Sequence, residues 1–459
     1  MLRRLAALSA ALLMAAACTA GGDGRPPAVP SGGDVPGTIV VAGGRDVTGK
    51  NGIRQQLIDA WNKEQRRTGS DYQARLVELP GSADEQRSQL LGALQSGSAA
   101  YDVVNLDVTW VPEFAAAGLI RRLPGKLVDE DVIESVAGTA RWDGDVYAVP
   151  FNSDVGLLYY RRDYLERAGV RRVDLTSWSA VRDLVETLDS RLDEDAYDKG
   201  WTTQLAAYEG RTVNAVEAFA SAVEDFSLVD GEGRYTGTVE DLADGIEELG
   251  RRTGRPYTLA DAVQSDEAAS LSDFAEGRTA FLRHWPSVHP ALHRTFTEEQ
   301  LGVAPLPGRA VLGGQNLAVT SSSPRARSAT DLIRFLTGEE SERCLLDAGF
   351  AATRVSAYED DGVRCTTATV PSAPASPSAP GAGEGADPVP RDAAGRPAYA
   401  RTILLDALRK AVQRPRTPLY GAFTQTFTAR LGPLFGDDPP DAEELAAHLD
   451  RALREALSG

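Results

Sequence analysis

Residues 38–42 read TIVVA, a β-branched apolar run that suits a strand buried on both faces. A loop, 43–51, follows. Ile53, Leu57, Ile58 and Trp61 then recur at helical spacing across 52–67. Residues 72–79 (YQARLVEL) alternate as a strand does. Over 82–96, Leu90, Leu91 and Leu94 share one helical face. Residues 102–108 (DVVNLDV) give a third strand, and Val111, Phe114 and Ala115 the helix after it. This rhythm predicts a mostly parallel sheet with helices on both faces. Ligands of such sheets bind at the carboxyl ends of strands, which singles out the loops 43–51 and 107–112.

From 157 to about 277 the patterning is mainly helical. Strand signals return at 278–282 (RTAFL), 302–304 and 317–320, and the C-terminal part reads as helices over 329–336, 400–412 and 442–457. Separated clusters of strand and helix predict two lobes crossed more than once by the chain. The fold class expected is α/β.

Both ends of this pattern carry segments that cannot pack. Residues 1–17 (MLRRLAALSAALLMAAA) have a basic start at Arg3 and Arg4, then an apolar stretch too short to anchor across a bilayer. Small residues precede Cys18, as in a lipoprotein signal, with Ala15 where Leu is usual. Ordinary secretory cleavage nearby is the alternative. A diacylated Cys18 would hold the chain on the outer face of a membrane. Residues 18–37 are Gly, Pro and Ser-rich, a tether. Residues 366–397, with PSAPASPSAPGAGEGADPVP at their centre, read as a disordered insertion. Cys344 and Cys365 are expected to pair in an extracellular protein, adding about 3 kcal/mol in the chain-entropy model. Two buried free thiols are the other reading.

The 459 residues carry 48 Lys+Arg against 66 Asp+Glu, a formal charge of −18. That argues against nucleic acid and anionic polymers as partners. GRDVTGK at 44–50 fits the spacing of a P-loop, but Asn51 stands where Ser or Thr would hold Mg²⁺. His289 and His293 have a metal pair's spacing, yet Pro290 lies between them and no further ligand is spaced to match, so no metal or cofactor is expected and solvated histidines are the plainer reading. Four histidines and no Gly-x-Ser-x-Gly elbow leave a triad hydrolase without its parts. A two-carboxylate glycosidase stays open on counting alone.

Six ordered blocks change the picture. They are 106–119 (LDVTWVPEFAAAGL), 142–170 (WDGDVYAVPFNSDVGLLYYRRDYLERAGV), 206–215 (AAYEGRTVNA), 274–286 (FAEGRTAFLRHWP), 302–319 and 414–420 (RPRTPLY). Together they resemble the maltose- and trehalose-type sugar-binding lipoproteins of bacterial ABC importers, over nearly all of 38–435. Gln315 stands where Trp is common in that family, and 366–397 is not part of its usual pattern.

The resemblance implies two α/β lobes of the periplasmic-binding-protein kind, hinged and closing on a ligand between them. It places the first lobe in 38–148 and 285–325 and the second in 149–284 and 326–459. It implies a receptor rather than an enzyme, a monomer outside the membrane, taking a disaccharide or short oligosaccharide to ABC permease subunits. Trehalose or a maltose-type α-glucoside leads, with an amino-sugar or polyol as alternatives. Sugars offer hydroxyls to carboxylates, Asn and Arg, and C–H faces to aromatic rings.

Residue by residue, Asp107 follows the third strand, where a helix N-cap would also explain it. Asp46 lies in the first strand–helix loop, where it could be a plain turn residue. Asn152 and Asp154 fall in the strongest block, though Asx turns use the same residues. Trp285 maps onto the stacking aromatic, with core packing as its other explanation. Glu267 matches an acidic residue of the trehalose-type members. Tyr208 and Glu209 match the Tyr-Glu-Gly loop. Gly313 and Gly314 would let backbone approach the sugar, or make a tight turn. Arg414, or Arg416 one register on, would fork two hydroxyls.

Overall fold

The computed structural model describes residues 33–45, 52–193, 197–368 and 389–458. The leader, Cys18, most of the tether, Asp46 and the middle of the 366–397 insertion lie outside the described residues.

The first sheet is built as the pattern predicts. Strand β1 (Gly37–Gly44) pairs in parallel with β2 (Tyr72–Leu79) and β3 (Val103–Asp107). Between β1 and β2 runs the helix Ile53–Thr68, burying Ile53, Leu57, Ile58 and Trp61 on one stripe. It stops at Gly69, whose φ of 72° is the left-handed cap glycine tolerates. After β2, the helix Ala83–Gln95 opens on a capping box: Ser82 Oγ accepts from the Glu85 N–H, and Glu85 accepts from the Ser82 N–H at 2.7 Å.

Short strands β4 (Arg141–Trp142) and β5 (Asp145–Val146) form a hairpin. The chain then runs through β6 (Val149–Val155) into β7 (Leu157–Arg161), and later supplies β8 (Lys199–Thr202), β9 (Thr279–His284), β10 (Leu301–Pro305) and β11 (Leu312–Val319). The first sheet has the order β2-β1-β3-β11-β6, with β11 antiparallel to both neighbours. The second has the order β10-β7-β9-β8.

Three strand-like segments cross between the lobes: β6 to β7 through Gly156, β10 to β11, and the C-terminal return, where Leu312 N–H bonds to the Val412 carbonyl at 2.7 Å. Gly156 is required: a β-carbon there would sit 2.4 Å from Glu217 Oε1. Beyond the third crossing, the helices Tyr420–Leu431 and Ala442–Ala456 pack on the second-lobe helices Glu209–Ala222 and Val239–Thr253.

Sheet membership moves the expected lobe limits. Residues 149–155, assigned to the second lobe, bond to β11 in the first sheet. Residues 301–305, assigned to the first, pair with β7 in the second. The helix Ala326–Leu336, assigned to the second lobe, packs on β11 and on the Ile53–Thr68 helix of the first. Both lobes are α/β, so the hydrophobic pattern carries no mark of which sheet a strand will join.

Cys344 and Cys365 are disulfide-bonded, 21 positions apart, fastening the helix Glu339–Asp347 to the start of the insertion. The insertion's far end is ordered where disorder was expected. Arg391 bridges to Pro397, and Arg396, 2% exposed, bonds to Asp392 and Asp361. His289 and His293 are buried rather than solvated, their Nε2 atoms 3.2 Å apart. Among the described residues no group of three or more metal-ligating side chains gathers, and no helix is long and apolar enough to cross a membrane.

Candidate functional site: a cleft between the lobes

The lobes enclose a cleft of about 890 Å³. The strand-end rule places it: Asp107 ends β3, Asp154 is the next-to-last residue of β6, and Trp285 follows β9.

Trp285 is half-buried and braced. The Arg283 guanidinium lies 3.9 Å from its ring centroid, a cation–π contact. Arg283 is itself locked in a two-pronged pair with Glu217, at 3.0 and 2.6 Å, and both side chains are almost wholly buried. The Trp285 N–H donates to His284 Nδ1 at 2.8 Å, which leaves Nε2–H to donate to the Glu267 carbonyl at 3.0 Å. Burial holds His284 down to about 4, so the ring is neutral. Glu267 opens the helix Glu267–Ala275 behind its N-cap Asp266. Its carboxylate accepts from the Tyr208 hydroxyl at 2.7 Å and, at the long limit of 3.5 Å, from Trp285 Nε1. Tyr208, Glu267 and Trp285 are thus one assembly on the second-lobe wall.

Arg414 forms the other fixed group. Its Nη2 spans both Asp107 oxygens at 3.0 and 3.2 Å, and its Nη1 donates to Glu209 at 2.6 Å. Glu209 also accepts from the Tyr420 and Thr424 hydroxyls. Its oxygens are therefore taken, and Glu209 serves Arg414 rather than a ligand hydroxyl. Arg414 is 4% exposed, with both terminal nitrogens engaged, so it clasps a first-lobe strand end to a second-lobe helix. Asp107 also accepts from the Thr109 N–H at 2.9 Å, an Asx turn rather than the helix N-cap its sequence suggested, since Trp110 holds the N-cap position of the helix Val111–Ala116.

Asp154 is different. It lines the cleft, and its shielded Oδ1 has no hydrogen-bond partner among the described residues. Burial pushes its carboxyl up to about 7, Asp107 adding to the rise and Arg54, Arg283 and Arg414 opposing it. Asn152, expected beside it, does not line the cleft. It is 3% exposed and its Oδ1 accepts from Arg54 at 2.9 Å, inside the first lobe. Gly314, at φ 110°, is forced by packing: a β-carbon would lie 2.4 Å from the Asn152 carbonyl. At Gly313 a β-carbon would lie 3.4 Å from the Trp285 ring, so the glycine keeps space open beside it.

Sequence reasoning passed over Ser82, Glu85 and Gln86, which line the cleft from the helix after β2. The strand-end rule applied to β2 would have found them. It also passed over Trp110 and the side chain of Gln315, whose Oε1 accepts from Arg54 and Asn105.

Two buried carboxyls set a pH response. Glu342, fully buried, is pushed up to about 8 by burial, its backbone partner Thr353 opposing. For Asp154 and Glu342 the folded value exceeds the unfolded one, so the folded chain holds protons longer and stability falls as pH rises through their range. Below about pH 6.5 His284 and the buried His289, lowered by burial too, oppose this, because the unfolded chain takes up protons there that the buried rings refuse. Between about pH 6.5 and 8 the carboxyls act unopposed by these rings, and we expect a loss of about 2 kcal/mol. Thermal melts across that interval check it. Glu342→Gln should flatten the fall; a wild-type melting temperature that rises from pH 6.5 to 8 would refute the assignment.

Comparison with known proteins gives this geometry its context. The model of a family described as bacterial extracellular solute-binding protein matches residues 56–375. A probable ABC transporter-binding protein of Deinococcus radiodurans is 27% identical over 318 residues, 66% of this chain and 73% of that one. An arabinooligosaccharide-binding protein of Halalkalibacterium halodurans is 30% identical over 129 residues, 27% of this chain and 28% of its own length. Among solved structures, the maltose-bound MalE3 of T. maritima superposes with a TM-score of 0.73 at 20% identity, covering 91% of this chain and 99% of that one. The fold is the two-lobe binding-protein fold, and with the family match spanning more than half its length, the chain belongs to the bacterial extracellular solute-binding proteins.

Proposed function

We propose that the protein is an extracytoplasmic receptor that captures a disaccharide or short oligosaccharide in the interlobe cleft and delivers it to an ABC permease. The family and its relatives are binding proteins, so no chemistry is assigned to the cleft. Closure on the solute and release are the mechanism. One observation carries the sugar reading: a tryptophan braced by a buried ion pair shares the cleft with an unpartnered carboxyl, Asp154. The ring offers an apolar face to sugar C–H groups, and Asp154 offers an acceptor to a hydroxyl. The cleft's volume lies in the range of small-molecule sites.

Trehalose or a maltose-type α-glucoside is our first choice of solute, supported by the Glu267 and Trp285 contact. An amino-sugar is the second, favoured by Asp154, whose carboxyl would pair with an ammonium group. Attachment through a lipidated Cys18 to the outer face of the membrane, and action as a monomer, complete the reading.

Calorimetry with trehalose, maltose, maltotriose, glucosamine and mannitol tests it. An α-glucoside should give saturable heat and, at 100 times its Kd, about 2.7 kcal/mol of added stability. The bound sugar should be recovered unchanged. Heat only with glucosamine would select the second solute, and no heat with any of the five would overturn the reading.

A further inference from the structure

A second cavity, of about 600 Å³, shares Arg414 with the interlobe cleft but is otherwise separate from it. One wall is Trp142 of the β4–β5 hairpin, which packs on the first-lobe helix Val111–Ala116. Facing it are Phe226 and Val229, from the segment after the helix Glu209–Ala222. The hinge segment supplies Arg416.

Arg416 is the unusual member. Its Nη2 donates to the Arg141 carbonyl, tying hairpin to hinge. Its Nε is shielded from solvent without a hydrogen-bond partner, and no ion pair engages it among the described residues. Of the acids in the lining, Asp230 and Glu232 both pair with Arg234, and Asp143, exposed at the hairpin turn, forms no ion pair with Arg416 among the described residues. Burial lowers the Arg416 guanidinium from its ordinary value. Arg414, in the same cavity wall, also has a buried Nε with no hydrogen-bond partner among the described residues. Arg416 is partly buried, and a guanidinium that has lost part of its water without a counter-charge is relieved by an anion. Guanidinium edges match carboxylates, and Trp142 and Phe226 supply apolar faces on either side.

We propose that this hinge cavity is a second ligand site, taking a small aromatic monocarboxylate with its carboxylate on Arg416 and its ring against Trp142 and Phe226. The cavity needs nothing from the sugar reading, and its test uses no sugar. Calorimetry on the full chain would compare benzoate with benzamide, which has the same shape and no charge. Benzoate should bind saturably and at least tenfold more tightly than benzamide. Arg416→Gln should weaken benzoate at least tenfold, and Val229→Trp, which fills the cavity and keeps Arg416, should abolish binding while the protein still melts cooperatively. Trp285→Ala, in the other cleft, should leave benzoate affinity unchanged. No saturable benzoate heat, equal affinity for benzamide, or loss of benzoate in Trp285→Ala would each overturn the proposal. If Arg416→Gln does not fold, unchanged benzoate binding in Val229→Trp overturns it equally.

Discussion

Trp285→Ala should weaken sugar binding strongly and leave the unliganded protein nearly as stable as before. The side chain is half-buried, with Arg283 on its ring and the cleft beside it. Aromatic anchors in a binding site commonly contribute 2–4 kcal/mol, so the affinity should fall by roughly 30- to 1000-fold. In a thermal melt the ligand-induced gain of about 2.7 kcal/mol at 100 times the wild-type Kd should shrink to below about 1 kcal/mol. The basal loss should stay near 1 kcal/mol, the scale of one cation–π contact at a partly exposed ring. A basal loss of 4 kcal/mol with sugar affinity intact would instead mark Trp285 as a packing residue.

Glu217→Gln gives the opposite profile, a large basal loss with the binding defect following from it. Glu217 and Arg283 are 2% and 1% exposed on their side chains. Removing the carboxylate leaves a buried guanidinium without its charge partner, which typically costs 3–5 kcal/mol. The same carboxylate accepts from the Val311 N–H at 3.2 Å, at the second crossing between lobes. Its loss therefore loosens the hinge as well as the plate under Trp285. Chemical denaturation should show the midpoint falling strongly, and sugar affinity should fall with it as Trp285 loses its brace. A variant within 1 kcal/mol of wild type would mean that Arg283 finds other partners, with Gln204, already at 3.3 Å from its Nη1, the first of them.

Much of this arrangement was legible along the chain. Short β-branched and alternating runs marked the strands, and Ile53, Leu57, Ile58 and Trp61 marked the first helix, because the faces a segment buries are set by its own local pattern. The strand-end rule put Asp107 at the cleft, the ordered blocks put Asp154, Tyr208, Trp285 and Arg414 there too, and the match to an acidic residue of trehalose-type members added Glu267. What local pattern cannot encode is which distant group a side chain will meet. Arg414 finds Glu209 across 205 positions and Asp107 across 307. That turned an expected hydroxyl donor into a clasp and Glu209 into its support. Asn152 and Asp154 are two residues apart on one strand, yet Arg54 claims the first and only the second lines the cleft. The sequence by itself therefore determined the elements, the family and the neighbourhood of the site. The tertiary structure alone decided the lobe crossings, the brace beneath Trp285 and the unpaired guanidinium at the hinge. Each of these depends on which charges are brought together and which are left without a partner when remote segments close on one another.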